Sequence, residues 1–149
     1  MMPYSHFFSA IIVARLLQLE PLVTQVFIIA AVIPDLDYIP GIIYKRNHRE
    51  YPPHYFILWF LTMVVAMIFS SEILFIFSAG GLFHLLFDLI DWGMKPLQPF
   101  HGYESRGLLT IDETIKSQKD FFRAYYSNRT ILLLEIMLVA LSVLLVFLN

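Results

Sequence analysis

The chain has 149 residues, of which 58% are hydrophobic, 16% aromatic and only 15% charged, and its formal net charge is −2. Typical soluble domains contain about 25% charged residues, and so small a domain cannot remove this much apolar surface from water. The composition therefore predicts an integral membrane protein and excludes intrinsic disorder. The absence of cysteine excludes disulfides and thiolate metal sites, and the net charge gives no reason to expect a nucleic-acid partner.

The first two apolar segments, residues 7–19 and 22–33, are each shorter than the ~20 residues that a helix needs to cross a bilayer. Glu20-Pro21 separates them, and proline suits the first turn of a new helix. We therefore predict a short helical hairpin. It either crosses the membrane at a tilt or through thinned lipid, or re-enters the membrane under a cover of protein.

Three longer apolar segments follow, at residues 51–71, 72–91 and 130–148. The first has no charged residue and its helix is expected to begin near His54, after two prolines. The second contains adjacent glycines, which in a membrane usually mean close helix contact. The third has a single charge, Glu135, which we expect near an interface or paired with polar groups inside the bundle. The predicted fold is an all-α, multi-pass membrane bundle of about five helices.

We predict a single domain over residues 1–149. Residues 1–100 form a core that contains the candidate site, residues 101–129 form a cytoplasmic loop or surface helix, and residues 130–149 form a C-terminal transmembrane helix. With helices alternating in direction, nine of the ten basic residues fall on one face and only Arg15 lies elsewhere. The positive-inside rule then places that face and the N-terminus in the cytoplasm and the C-terminus outside, in an inner (cytoplasmic) membrane.

The same face collects most of the histidines and several aspartates. His84, Asp88 and Asp91 are spaced i, i+4 and i+7, so a helix places all three within an arc of about 60°. Ionisable residues inside an apolar helix are costly in lipid and are functional candidates by default. The predicted metal ligands lie at or near helix ends on this face: His6, Asp35, Asp37, His48, His54, His84 and Asp88.

Each of these residues also has a simpler interpretation. Asp88 could merely fix the tautomer of a packed His84, and Asp35 and Asp37 could cap or end a helix. A histidine in a loop, such as His48, is often just solvated. Arg49 could clamp a phosphate or carboxylate with two hydrogen bonds, or serve only as a positive-inside anchor.

The ordered set of motifs resembles the membrane-bound metal-dependent hydrolase family (YdjM-like). The resembling residues are His6, Pro34-Asp35-Leu36-Asp37, His48-Arg49 with His54, His84 to Asp88, Gly93, and Leu97-Gln98-Pro99-Phe100. They cover about the first hundred residues. The family pattern His-Arg-Gly-x-Thr-His-Ser is replaced here by a stretch one residue longer, His48-Arg49-Glu50-Tyr51-Pro52-Pro53-His54-Tyr55. The resemblance implies a metal site and a hydrolase.

Seven candidate ligands exceed the three protein ligands of one tetrahedral catalytic zinc, so either two ions or one ion with a full outer shell is expected. The nitrogen and oxygen donors favour zinc and also suit manganese or iron. In this hypothesis Asp91, or one of Asp35 and Asp37, acts as a base, and Arg49 holds a phosphate. The substrate would be a lipid or lipid-linked phosphoester, and membrane lipid is the expected partner. The alternatives are a non-catalytic protein that binds or moves a metal ion, and a membrane scaffold.

Overall fold

The computed structural model describes residues 2–44, 51–91, 94–103, 105, 107–108 and 118–148. Within these ranges the chain is helical and contains no strand, which confirms the all-α class. The α-helices are α1 (Pro3–Leu16), α2 (Pro21–Val32), α3 (Tyr38–Tyr44), α4 (Phe56–Ile68), α5 (Glu72–Asp91), α6 (Gln118–Ser127) and α7 (Arg129–Phe147). Two 3₁₀ turns, Ile33–Asp37 and Pro52–His54, come before α3 and α4.

The observed helix bounds follow the positions of the prolines. Pro3 and Pro21 occupy the first turns of α1 and α2, where the missing N–H costs nothing, so α1 begins earlier than its apolar run predicts. Pro52 and Pro53 form a 3₁₀ turn, and extended Tyr55 follows it, so the predicted third helix begins only at Phe56. The sequence predicts no helix between the second and third apolar segments, and Tyr38–Tyr44 forms a short one there.

α5 lies between α2 and α4, and its two adjacent glycines face one neighbour each. A Cβ atom on Gly80 would lie 2.6 Å from the carbonyl oxygen of Phe27 and 2.8 Å from the Cβ of Ala30, both in α2. A Cβ on Gly81 would overlap the indole ring of Trp59 in α4. Because glycine has no side chain, both neighbours approach the α5 backbone closely. This packing fixes the position of α5 along its own axis relative to α2 and α4.

Helices α1, α6 and α7 form the other part of the bundle, which adjoins α2 through α1. α1 packs against both α2 and α7, and α6 packs against α7. The start of α1 contacts the start of α7 through Ser5 and Glu135, while Val146 near the end of α7 lines a cavity with Ile11 and Gln18. α1 and α7 therefore run in the same direction, as the predicted topology requires.

In the part of the chain that the structure describes, two helices are long and apolar enough to cross a membrane, Glu72–Ile90 and Arg129–Phe147. Phe56–Ile68 is apolar but shorter, and α1 and α2, of 14 and 12 residues, are shorter than a perpendicular crossing needs. Membrane crossing by these shorter helices, and hence a bundle of about five spans, stays a prediction.

Candidate metal centre

Four separate segments bring buried histidine and aspartate side chains together at one end of the bundle. They are the first turn of α1, the 3₁₀ turn after α2, the 3₁₀ turn before α4 and the last two turns of α5. The histidines His6, His54 and His84 and the carboxylate of Asp88 are all fully buried. So many buried polar groups at one place are costly unless they satisfy one another or a ligand.

His84 is oriented by the backbone of α2. Its Nδ1 lies 2.8 Å from the carbonyl oxygen of Ala31, so Nδ1 carries the proton and donates it. Its Nε2 then presents a lone pair toward Asp88 Oδ2 at 3.6 Å and Asp35 Oδ1 at 3.8 Å. This Nε2 and Asp35 Oδ2 are buried and hydrogen-bond no other described atom. The close approach of α2 at Gly80, one turn before His84, makes the contact with Ala31 possible.

His54 is oriented by a carboxylate instead. Its Nδ1 donates to Asp37 Oδ2 at 2.7 Å, and its Nε2 lies 3.4 Å from Asp88 Oδ2. The 3₁₀ turn Ile33–Asp37 places Asp35 and Asp37 on the two sides of this imidazole pair, with Asp35 near His84 and Asp37 behind His54. A histidine whose other ring nitrogen bonds a carboxylate or a backbone carbonyl is the usual arrangement of a metal ligand.

His6 approaches the same carboxylate from α1. Its Nε2 lies 3.1 Å from Asp88 Oδ1, and its ring stacks on that of His84 with centroids 3.8 Å apart. The two oxygens of Asp88 therefore serve different partners, Oδ1 facing His6 and Oδ2 facing His54 and His84. The partner of His6 is thus a carboxylate of α5 and not one of the two aspartates that follow α2.

The spacing of these atoms matches that around a small cation. Bonds of about 2.0–2.1 Å in a tetrahedral site place neighbouring ligand atoms about 3.3–3.4 Å apart, and the distances from Asp88 Oδ2 to the two Nε2 atoms are 3.4 and 3.6 Å. Two groups of three residues each have ligand atoms within 4.8 Å of one another: His6, His84 and Asp88, and Asp35, His54 and His84. Both groups need His84, whose single available nitrogen can bind only one ion.

The electrostatics of the cluster favour positive charge. Burial raises the pKa of Asp35 to about 6, although the histidines around it act in the opposite direction. Burial lowers the pKa of His54, but hydrogen bonds and charge from Asp37 and Asp88 outweigh it and leave that pKa above its ordinary value. Asp37 and Asp88 thus create a negative potential at His54, and the same potential would stabilise a bound cation.

Of the predicted ligands, the structure brings together His6, Asp35, His54, His84 and Asp88, with Asp37 behind His54. His48 and Arg49 lie outside the described residues, as does the side chain of Asp91. The ligand and catalytic roles of all these residues stay predictions. The partners of the buried Glu135 could not be predicted from local sequence, because the hydroxyls that contact it include those of Tyr4 and Ser5, about 130 residues away along the chain.

The apolar helices and the buried cluster together define a helical membrane protein with a His/Asp site that can hold a metal ion. The family model of the YdjM inner membrane protein matches the chain over residues 1–149, so the chain belongs to that family. This finding confirms the predicted resemblance to YdjM and supports an inner-membrane location, whereas the metal-dependent hydrolase part of the resemblance stays a prediction. No curated protein and no solved structure matches the chain.

Proposed function

We propose that the protein is a membrane-embedded, metal-dependent hydrolase acting on the phosphoester of a lipid or lipid-linked substrate. The observation that supports the proposal most directly is the pair of oriented imidazoles. His54 and His84 both use Nδ1 for a protein acceptor and turn Nε2 toward the same oxygen of Asp88. Zinc suits these nitrogen and oxygen donors, and manganese and iron are alternatives.

In this proposal His54, His84 and Asp88 are the three protein ligands of one ion. Hydrolytic zinc sites keep three protein ligands and one open position. Asp35 Oδ1 lies 3.8 Å from His84 Nε2, farther than Asp88 Oδ2 lies from either imidazole. The side chain of Asp35 is about one-tenth exposed, whereas those of the three ligands are enclosed. The open position would therefore face Asp35 and the outside of the bundle.

The cation would supply Lewis-acid polarisation of the phosphoryl group and activation of water. Asp35 would orient the attacking water and accept its proton. His6 would hold the second oxygen of Asp88, and Asp37 and the Ala31 carbonyl would keep the two imidazoles in the tautomer that exposes Nε2. The location among apolar helices favours a substrate that is itself in the membrane.

The decisive experiment combines metal content with hydrolysis. Detergent-purified protein is analysed by mass spectrometry for metals and assayed on a panel of phospholipid and lipid-linked phosphoesters, beside His84→Ala, Asp88→Ala and Asp35→Asn. We expect about one ion per chain in the unaltered protein, and loss of both metal and hydrolysis in the two ligand variants. Asp35→Asn should retain its metal and lose hydrolysis.

Ser78→Ala is the matched control, because Ser78 is fully buried in α5 but donates only to the carbonyl oxygen of Leu74 in its own helix. Metal bound without hydrolysis of any phosphoester would support the non-catalytic alternative, a protein that binds or moves a metal ion. A folded, unaltered protein without metal, even after addition of zinc and manganese, would contradict the proposal and favour a scaffold.

A further inference from the structure

The second buried polar cluster of the protein is centred on Glu135 in α7. The residues that α7 buries are Ile131, Glu135 and Ser142. Ser142 donates to the carbonyl oxygen of Val139 in its own helix, so its hydroxyl joins α7 to no other element by a described hydrogen bond. A carboxyl group in a membrane-crossing helix is costly and is retained where it has a specific partner.

Glu135 accepts hydrogen bonds from three hydroxyl groups. Ser5 Oγ donates to Oε1 at 2.8 Å, the Tyr125 hydroxyl donates to the same oxygen at 2.6 Å, and the Tyr4 hydroxyl donates to Oε2. The hydroxyls of Tyr4 and Tyr126 lie 3.0 Å apart. One carboxyl group thus joins the start of α1, the end of α6 and the start of α7.

This cluster and the candidate metal centre lie on opposite sides of one helical turn. Ser5 faces Glu135, and the next residue, His6, faces Asp88 and stacks on His84. No side chain caps the first turn of α1. Its Ser5 and His6 N–H groups donate to the Met2 carbonyl oxygen, and these local bonds join the turn to no other helix. α1 also meets α5 much less than it meets α2 and α7. The position of His6 therefore depends on what holds the other side of its turn.

We propose that Glu135 is a positioning residue of the metal centre. Its carboxyl group fixes the first turn of α1 against α7 and thereby holds the His6 ring against Asp88 and His84. The proposal rests on the proposed metal centre, and it gives the C-terminal helix a part in that centre without a ligand of its own. Partners that orient a metal ligand typically contribute about 10–100-fold to metal affinity.

The test uses Co²⁺ as a spectroscopic probe of the centre. Glu135→Leu removes the acceptor of all three hydroxyls while keeping α7 apolar, and Glu135→Gln keeps one acceptor oxygen. We expect His6→Ala to weaken Co²⁺ binding about 10–100-fold, because His6 contacts the ligand Asp88 directly. Glu135→Leu should weaken binding by no more than that and give the visible absorption spectrum of His6→Ala, with Glu135→Gln intermediate. Ser142→Ala, which alters a buried hydroxyl of the same helix, should keep the original spectrum and affinity. An unchanged spectrum and affinity in folded Glu135→Leu would overturn the proposal.

A second measurement separates this proposal from that of the metal centre. The chain has five histidines, so ring-nitrogen NMR signals of ¹⁵N-histidine-labelled, metal-free protein can be assigned with single variants. The His6 signal should shift in Glu135→Leu and stay in place in Ser142→Ala. If the unaltered protein binds no metal, the proposed function fails while this measurement still tests Glu135. If Glu135→Leu does not fold, Tyr125→Phe and Ser5→Ala replace it, and an unmoved His6 signal in both would overturn the proposal.

Discussion

Among the described helices, α5 and α7 are the two that are long and apolar enough to cross a membrane, and their surroundings differ. α5 is enclosed by α2 and α4, and it contains His84 and Asp88. α7 is at the periphery, with Leu133, Met137 and Leu144 more than half exposed, and it buries a single carboxyl group. The comparison shows that similar length and hydropathy do not determine the role of a membrane helix. The role depends on where small and ionisable residues interrupt the apolar sequence.

The largest effect is expected where α5 is most tightly enclosed. In Gly81→Val the new side chain would overlap Trp59, which cannot move easily because its Nε1 donates to the Pro53 carbonyl oxygen at 2.7 Å and its ring contacts Phe77. We expect a loss of about 3 kcal/mol of stability, seen as a fall of about 5–10 °C in the midpoint of thermal unfolding in detergent.

Ala140→Val in α7 adds the two Cγ atoms of valine at an exposed position and is the control for that variant. We expect it to change stability by less than about 0.5 kcal/mol. Equal losses in the two variants would contradict the difference between the enclosed and the peripheral helix.

A smaller effect is expected at Asp37, which acts on the α5 site through His54. Asp37→Ala removes the acceptor of His54 Nδ1–H, so the ring loses its fixed tautomer. We expect metal affinity to fall about 10–100-fold, measured by competition with a chromophoric chelator. Asp37→Asn retains an acceptor oxygen and should keep most of the affinity. If Asp37→Ala binds metal normally, Asp37 does not orient His54 in the way proposed.

The smallest effect is expected on the outer face of α7. Leu144→Ala shortens a side chain that is 53% exposed, and lipid replaces its contacts. Metal affinity should stay the same. The shift in the midpoint of thermal unfolding should correspond to a loss of less than about 0.5 kcal/mol of stability. A loss of several kcal/mol would mean that another protein surface covers this face of α7, which the measured mass of the detergent-solubilised particle would reveal.

Local patterns in the sequence predict helices and their faces better than they predict partners. The apolar run at residues 72–91 gives α5 with its observed bounds, and the i, i+4 spacing correctly places His84 and Asp88 side by side. The spacing could not show that Ala31 and Asp37 orient the imidazoles, because those contacts join residues 53 and 17 positions apart. The short helix α3 was missed because Pro40 and Gly41 are more typical of a loop.

The candidate centre also depends on the docking of two separate hairpins. α4 and α5 are joined by three residues and form one hairpin, which brings His54, His84 and Asp88. α1 and α2 form another hairpin, which brings His6, Asp35 and Asp37. The complete centre exists only after the two hairpins dock along the Gly80 contact. A cation that prefers the complete centre would therefore favour docking by mass action and would link maturation of the protein in the membrane to metal supply.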